Sequence, residues 1–169
     1  MRRHYLFVGL DRVFRALLVW LLVLMVASVA WQIISRYFLA SPSLWTEELS
    51  RFLLIWLGLL GGSYAYSNGM HLGLDLLGPR LTVAARRRQQ FAIHGLVIGF
   101  AAVVLIKGGI ELVLLTHQLG QHSPSLDISL AVIYLSLPIS GIMFTVYGLL
   151  NISEIVWPQS RSLQEHSHD

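Results

Sequence analysis

The sequence predicts an all-α integral membrane protein: four transmembrane helices with short interfacial helices, and both termini in the cytoplasm. Three observations predict it. The 169 residues are 55% hydrophobic and only 12% charged, with a mean hydropathy of +0.65, whereas a soluble domain carries about twice that charged fraction. The apolar residues are gathered into four blocks, each long enough to cross a hydrocarbon core that takes roughly 20 residues of helix, the second only when its charged start before Phe52 is counted. The arginines are also unevenly placed. Arg2, Arg3, Arg12 and Arg15 lie before or at the start of the first block, and Arg80, Arg86, Arg87 and Arg88 separate the second from the third, while 117–127 holds no Lys or Arg. By the positive-inside rule the first and second of these regions are cytoplasmic and the third is not.

The elements follow in order. Residues 1–12 mix basic and apolar side chains and suit a short interfacial helix, with Tyr5, Leu6 and Phe7 toward lipid. The first span covers about 13–35 and closes on Arg36-Tyr37-Phe38, where an arginine can snorkel beside interfacial aromatics. Ser41-Pro42-Ser43 forms the turn, and either serine can cap the second helix. That helix spans about 44–66 and leaves the membrane at Ser67-Asn68-Gly69. Met70–Leu77 is too short to span and too apolar for a free loop, so it reads as an interfacial helix stopped by Gly78-Pro79. Thr82 can cap the third helix, which carries Arg86, Arg87 and Arg88 at the headgroups and crosses over about 91–115. Ser123-Pro124 and Asp127 introduce the fourth, over about 128–152, and Pro158 ends it. Residues 1–158 thus make one membrane domain, and 159–169 a polar cytoplasmic tail.

A signal peptide is the competing reading of the N-terminus, since Arg2-Arg3, an apolar run and Ala27–Ala30 resemble a cleavage pattern. The run is longer than a usual h-region, and its removal leaves three spans whose loop charges fit poorly. The absence of cysteine excludes disulfides, thiolate catalysis and Cys-ligated metals. No metal, no cofactor and no enzymatic activity are expected, and the arginine clusters read as topology determinants rather than a nucleic-acid patch.

The charged positions inside the spans carry the functional question. In Trp45–Tyr66, "WTEELSRFLLIWLGLLGGSYAY", Glu47, Glu48, Arg51, Ile55, Gly58, Gly62, Ala65 and Tyr66 fall on about one third of the helix circumference. Trp45 and Trp56 lie on another side. The stripe joins a charge cluster to Gly58-x-x-x-Gly62, a spacing that allows close helix approach, and is expected to face protein. Gly95 and Gly99 are expected to serve helix packing in span three. Glu47 and Glu48 can each neutralise Arg51, at i,i+4 and i,i+3. The plainer reading is that they cap the helix and fix its depth, yet a charge at depth costs about 2.5 kcal/mol or more unless paired. Lys107 and Glu111 form a second i,i+4 pair in the outer half of span three. With Arg36 nearby, these residues suit a polar clamp or a subunit-packing surface better than an ion relay, which needs stations near the midplane.

Two alternatives remain at this point. An autonomous ion-coupled carrier is disfavoured because the middle of every span lacks acidic, basic and His residues. A haem b anchor needs histidines facing each other at one depth, and His71 with His94 is the conceivable pair. His71 and Asp75 at i,i+4 can share a hydrogen bond, and with Trp45, Trp56 and Arg86–Arg88 they belong to the membrane-anchoring set.

Arg36-Tyr37, then Trp45/Glu47/Glu48/Leu49, then Trp56 with Gly58–Gly62, then His71/Asp75 occur in the order and spacing of one known family. The stretch strongly resembles the small membrane subunit of tripartite ATP-independent periplasmic (TRAP) transporters. Ser123-Pro124, Tyr134, Pro138 and Gly141 are similar to that family's last helix. The resemblance implies a bacterial inner-membrane complex for sodium-coupled uptake of an organic acid, a dicarboxylate or sialic acid. It implies a periplasmic substrate-binding protein that delivers the substrate, and a large multispan subunit that carries it. This chain would be the noncatalytic part that packs on the large subunit's scaffold.

Overall fold

The computed structural model describes residues 2–39, 41, 43–67 and 83–156. The interfacial helix expected at Met70–Leu77, His71, Asp75, the Thr82 cap, Pro158 and the 159–169 tail lie outside the described residues. The described chain is helical, with α1 over Arg2–Tyr37, α2 over Leu44–Ser67, α3 over Val83–Phe100, α4 over Gly109–Gln118, α5 over Leu130–Tyr134 and α6 over Ser136–Val156. A π segment, Ala101–Gly108, joins α3 to α4 without leaving helical backbone, so 83–118 is one rod. The one extended pairing among the described residues is an isolated bridge between His122 and Ser129 that closes the turn after α4.

Three helices are long and apolar enough to cross a membrane: Asp11–Tyr37, Arg87–Gln118 and Leu130–Ser153. The chain is an all-α membrane protein. α2 has 24 residues, about 36 Å of helix, but it is not among these three, and Glu47, Glu48 and Arg51 stand in its opening turns. α1 is a continuous helix of 36 residues, about 54 Å long. The separate interfacial helix expected before span one is therefore absent as a distinct backbone element. Nothing breaks the helix there, since residues 2–37 hold one glycine and no proline. The side chains of Tyr5, Leu6 and Phe7 are outside what is described.

The last span departs from one continuous helix. Pro138 has no N–H to offer the Tyr134 carbonyl and its ring crowds that oxygen. The chain accordingly breaks at Leu135 between α5 and α6, and Ile139 N–H resumes the ladder to the Leu135 carbonyl at 3.2 Å. Asp127, in the preceding loop, takes φ of 52°, a left-handed conformation that Asp tolerates better than most side chains.

α6 is the hub: it packs on α2, α3, the π segment, α4 and α5, while α1 packs chiefly along α2. The order across the bundle is α1, α2, α6, then the α3–α4 rod. Small residues set the α6 contacts. A Cβ on Gly141 would lie 2.8 Å from Leu105 Cβ and from Ile106 Cγ1, and one on Gly109 would lie 2.9 Å from Leu137 Cβ and Pro138 Cδ. One on Gly148 would lie 2.6 Å from Ile98 Cγ1. Without side chains at these points the axes come close enough for backbone-adjacent atoms to touch, which is how helices bind where water supplies no driving force. Ser63, Ser136 and Ser140 are fully buried; Ser63 and Ser140 donate their hydroxyls back to carbonyls of their own helices, Leu60 and Leu137, and Ser136 donates across the break to Ile133 of α5. Each buried hydroxyl is thereby satisfied locally in the chain.

Candidate functional site

Polar side chains collect at the two ends of α2. At its N-terminal end, Ser43 stands at the cap position, but its buried hydroxyl has no hydrogen-bond partner among the described residues, so the expected side-chain cap is not made. Thr46 instead donates its hydroxyl to the Ser43 carbonyl at 2.9 Å, and Ser50 donates to the Thr46 carbonyl at 2.8 Å. Glu48 does not pair with Arg51 as its spacing allowed. Its carboxylate turns to the loop between α4 and α5, accepting a hydrogen bond from the Ser123 hydroxyl and one from Ser125 N–H at 3.1 Å. Ser123 Oγ in turn accepts from Leu126 N–H at 3.3 Å. Glu48 thus ties α2 to a turn 75 residues away in sequence, and Ser123 is nearly fully buried beneath it.

At the other end of α2, α1 and α2 meet through Arg15 Nε, which donates to the Tyr64 hydroxyl at 3.1 Å while its Nη2 pairs with Asp11 at 3.0 Å. The Phe14 ring lies against Tyr64, centroids 6.0 Å apart. Buried Tyr66 shares a hydrogen bond of 2.6 Å with His94 Nδ1 on α3 and packs against Phe144 of α6 at 5.6 Å. Tyr66 reaches α3 because Gly148 leaves the way open: a Cβ there would stand 3.3 Å from the Tyr66 hydroxyl. This second cluster (Asp11, Arg15, Tyr64, Tyr66, His94) was missed in the sequence, where only His94 was considered, and for haem. The detectable signal was the Tyr64-x-Tyr66 pair at a helix end with an intramembrane His on the next helix, because buried tyrosines and histidines require partners. His94 is bonded to Tyr66, and His71 lies outside the described residues, so no paired-histidine site is formed among the described residues. Among the described residues no group of three His, Cys, Asp or Glu is placed to hold a metal.

The remaining predicted residues are placed as follows. Arg51 pairs with Glu47 at 3.1 Å and Lys107 with Glu111 at 4.0 Å, both within one helix and both largely exposed. No ion pair joins α2 to the α3–α4 rod among the described residues; the Glu48 carboxylate is hydrogen-bonded to the 123–126 turn. Arg36 closes the last turn of α1, where a cation complements the helix dipole, and is exposed. The stripe expected to face protein is exposed at some positions and covered at others within this chain: Tyr66 is buried and Glu48, Ile55, Gly62 and Ala65 are half-buried. Glu47, Arg51 and Gly58 are exposed, and α2 buries Thr46, Leu60, Ser63 and Tyr66 because it is sandwiched between α1 and α6. Gly62 makes an ordinary contact with Phe144, at 3.6 Å from a built Cβ, while Gly58, Gly95 and Gly99 have open space. Trp45 is exposed and Trp56 half-buried. Arg86 lies on α3; Arg87 stacks over Phe91 at 5.9 Å, and Arg88 is exposed.

Residues 25–156 match the sequence profile of the DctQ component of tripartite ATP-independent periplasmic transporters. The chain is 28% identical over 141 residues to the sialic acid TRAP transporter small permease protein SiaQ of Vibrio cholerae, covering 80% of this chain and 77% of that protein. It is 28% identical over 126 residues to the C4-dicarboxylate TRAP transporter small permease protein DctQ of Rhodobacter capsulatus, 73% of this chain and 53% of that one. It is also 30% identical over 105 residues to the isethionate TRAP transporter permease protein DctMQ of Oleidesulfovibrio alaskensis, 62% of this chain but 16% of that longer protein. With most of its length inside the profile, including both polar clusters around α2 apart from Asp11 and Arg15, this chain belongs to the DctQ family of TRAP transporter small membrane subunits.

Proposed function

We propose that this subunit is a stator: a noncatalytic four-span membrane component that packs on the scaffold of a large membrane subunit during sodium-coupled uptake of an organic acid. The substrate would be a dicarboxylate or sialic-acid-like anion delivered by a periplasmic binding protein, and the location the bacterial inner membrane. One observation carries the reading. The polar groups that link different elements fix the chain's own helices, with Glu48 on the 123–126 turn, Arg15 on Tyr64 and Tyr66 on His94. Groups tied up in this way brace a frame and are not offered to a passing solute. α2 counts as the fourth span in this proposal because Glu48 holds its charged end against the turn beyond α4, the side opposite Arg87 and Arg88. The N-terminus and the end of α6 then both lie on the cytoplasmic side.

The relatives' names carry sialic acid, C4-dicarboxylate and isethionate, a range that fits a supporting subunit whose own residues do not select the cargo. The test is co-expression with the large subunit and the binding protein. The subunit should copurify with the large one, show no uptake when reconstituted alone, and be required for sodium-driven uptake by the complete set. Uptake by the subunit alone refutes the proposal in favour of an autonomous carrier. Because the chain lacks cysteine, single cysteines introduced at 119–121 and near the N-terminus report the topology directly. The first should react with an impermeant maleimide from the periplasmic side and the second should not.

A further inference from the structure

The ion pair Lys107–Glu111 is out of place on an isolated subunit. Its side chains are 74% and 69% exposed, on a rod long and apolar enough to cross the membrane. About 16 Å of helix separates Lys107 from the rod's end at Gln118. Exposed apolar side chains bracket the pair: Phe100, Val103 and Val104 before it, and Leu112, Leu114, Leu115 and Leu119 after it. Glu47 and Arg51 differ in kind, since they occupy the opening turns of α2 beside the 123–126 turn. Ionisable side chains at hydrocarbon depth face protein or a water-filled cavity rather than lipid, yet here nothing among the described residues covers Lys107 or Glu111.

The π segment determines what accompanies the pair. In an α-helix each four-residue step overshoots a full turn by about 40°, so Gly95, Gly99, Val103, Lys107 and Glu111 would wind progressively around the rod. A π turn closes i→i+5 hydrogen bonds and holds more residues, so the steps through 101–108 fall short of a turn and cancel the drift. All five residues are accordingly exposed, on one ridge along the side of the rod away from α6. Gly95 and Gly99 offer open space below the apolar middle, and the ion pair lies above it.

We propose that this ridge is the docking face for a membrane-spanning helix of the large subunit, one that presents hydrogen-bonding side chains to Lys107 and Glu111. The proposal rests on the stator reading above, and it selects the α3–α4 rod rather than the equally apolar α1 as the joined side. Charge complementarity selects the occupant. Lipid has no donor or acceptor to offer at this depth, whereas a polar residue on a facing helix satisfies both ends of the pair. A relative whose name joins both permease components, DctMQ, is in keeping with such proximity.

The test uses the co-expressed complex. A benzophenone maleimide placed through Val103→Cys should crosslink to the large subunit on irradiation, and one placed through Val23→Cys, exposed on α1, should not. The double variant Lys107→Leu/Glu111→Leu should retain the helical content and melting of the isolated subunit. It should lower the large subunit copurified in detergent by about 3- to 30-fold, the range for losing one or two intramembrane polar contacts. If the unmodified subunit fails to copurify, the stator reading itself falls. If it copurifies but Val23→Cys crosslinks and Val103→Cys does not, only the ridge assignment falls. Crosslinking of Val103→Cys to a second copy of this chain, or undiminished copurification of the double variant, also overturns the assignment.

Discussion

Gly141→Ala is the sharpest probe of how the bundle is held. The added methyl would meet Leu105 Cβ and Ile106 Cγ1 at 2.8 Å and Ile106 N at 3.2 Å. Ile106 Cγ1 can rotate away, but Leu105 Cβ and Ile106 N ride on the backbone, so α6 and the π segment must separate. Carbon atoms rest about 3.5–4.0 Å apart, which sets the required shift at roughly 1 Å. Overpacking of this kind costs about 1–3 kcal/mol, while alanine regains about 1 kcal/mol of helix propensity over glycine. Gly61→Ala is the matched control: Gly61 is also helical, and a Cβ there meets nothing within 4 Å. The propensity gain is common to both variants and cancels in the comparison. Unfolding of the purified subunit in mixed micelles, followed by tryptophan fluorescence, should therefore show Gly141→Ala less stable than Gly61→Ala by about 1–3 kcal/mol. Equal stabilities would refute the claim that a close helix crossing at Gly141 holds α6 to the rod.

Glu48→Ala should release the turn after α4, seen as faster amide exchange at Ser125 and Leu126, whereas Arg51→Ala should leave those amides unchanged because its partner Glu47 makes no contact with that turn. Tyr66→Phe keeps the ring contact with Phe144 and removes the hydroxyl's hydrogen bonds, to His94 and to Asn151. It should cost about 0.6–2 kcal/mol in the same unfolding assay. Gly148→Ala should cost at least as much as Tyr66→Phe, because its methyl would displace Ile98 and crowd the Tyr66 hydroxyl; a smaller loss would contradict the passage described for Tyr66.

Much of the fold was legible because hydropathy and helix period act locally. The apolar blocks became α1, the α3–α4 rod and α5–α6, and Pro138 marks the break at Leu135 by a rule that needs no tertiary information. The pairs Glu47–Arg51 and Lys107–Glu111 were legible for the same reason, since i,i+4 spacing on one helix settles who can meet. Contacts between helices were not. A helix-wheel stripe says which residues share a side, but not which side turns inward when a helix has neighbours on two faces. For α2 the answer was Thr46, Leu60 and Ser63 from outside the stripe together with Tyr66 at its edge, and not Gly58.

The sequence by itself determined that this chain is helical, apolar and bound to a membrane, and its ordered motifs pointed to the TRAP small subunits. Only the tertiary structure decided which glycines matter. Gly-x-x-x-Gly spacing permits close approach, but approach occurs where two axes cross, at Gly109, Gly141 and Gly148. Likewise only the fold sent Glu48 to Ser123 and joined Tyr66 to His94. Hydrogen bonds between helices depend on distances in space, which residues far apart in sequence do not encode by their spacing.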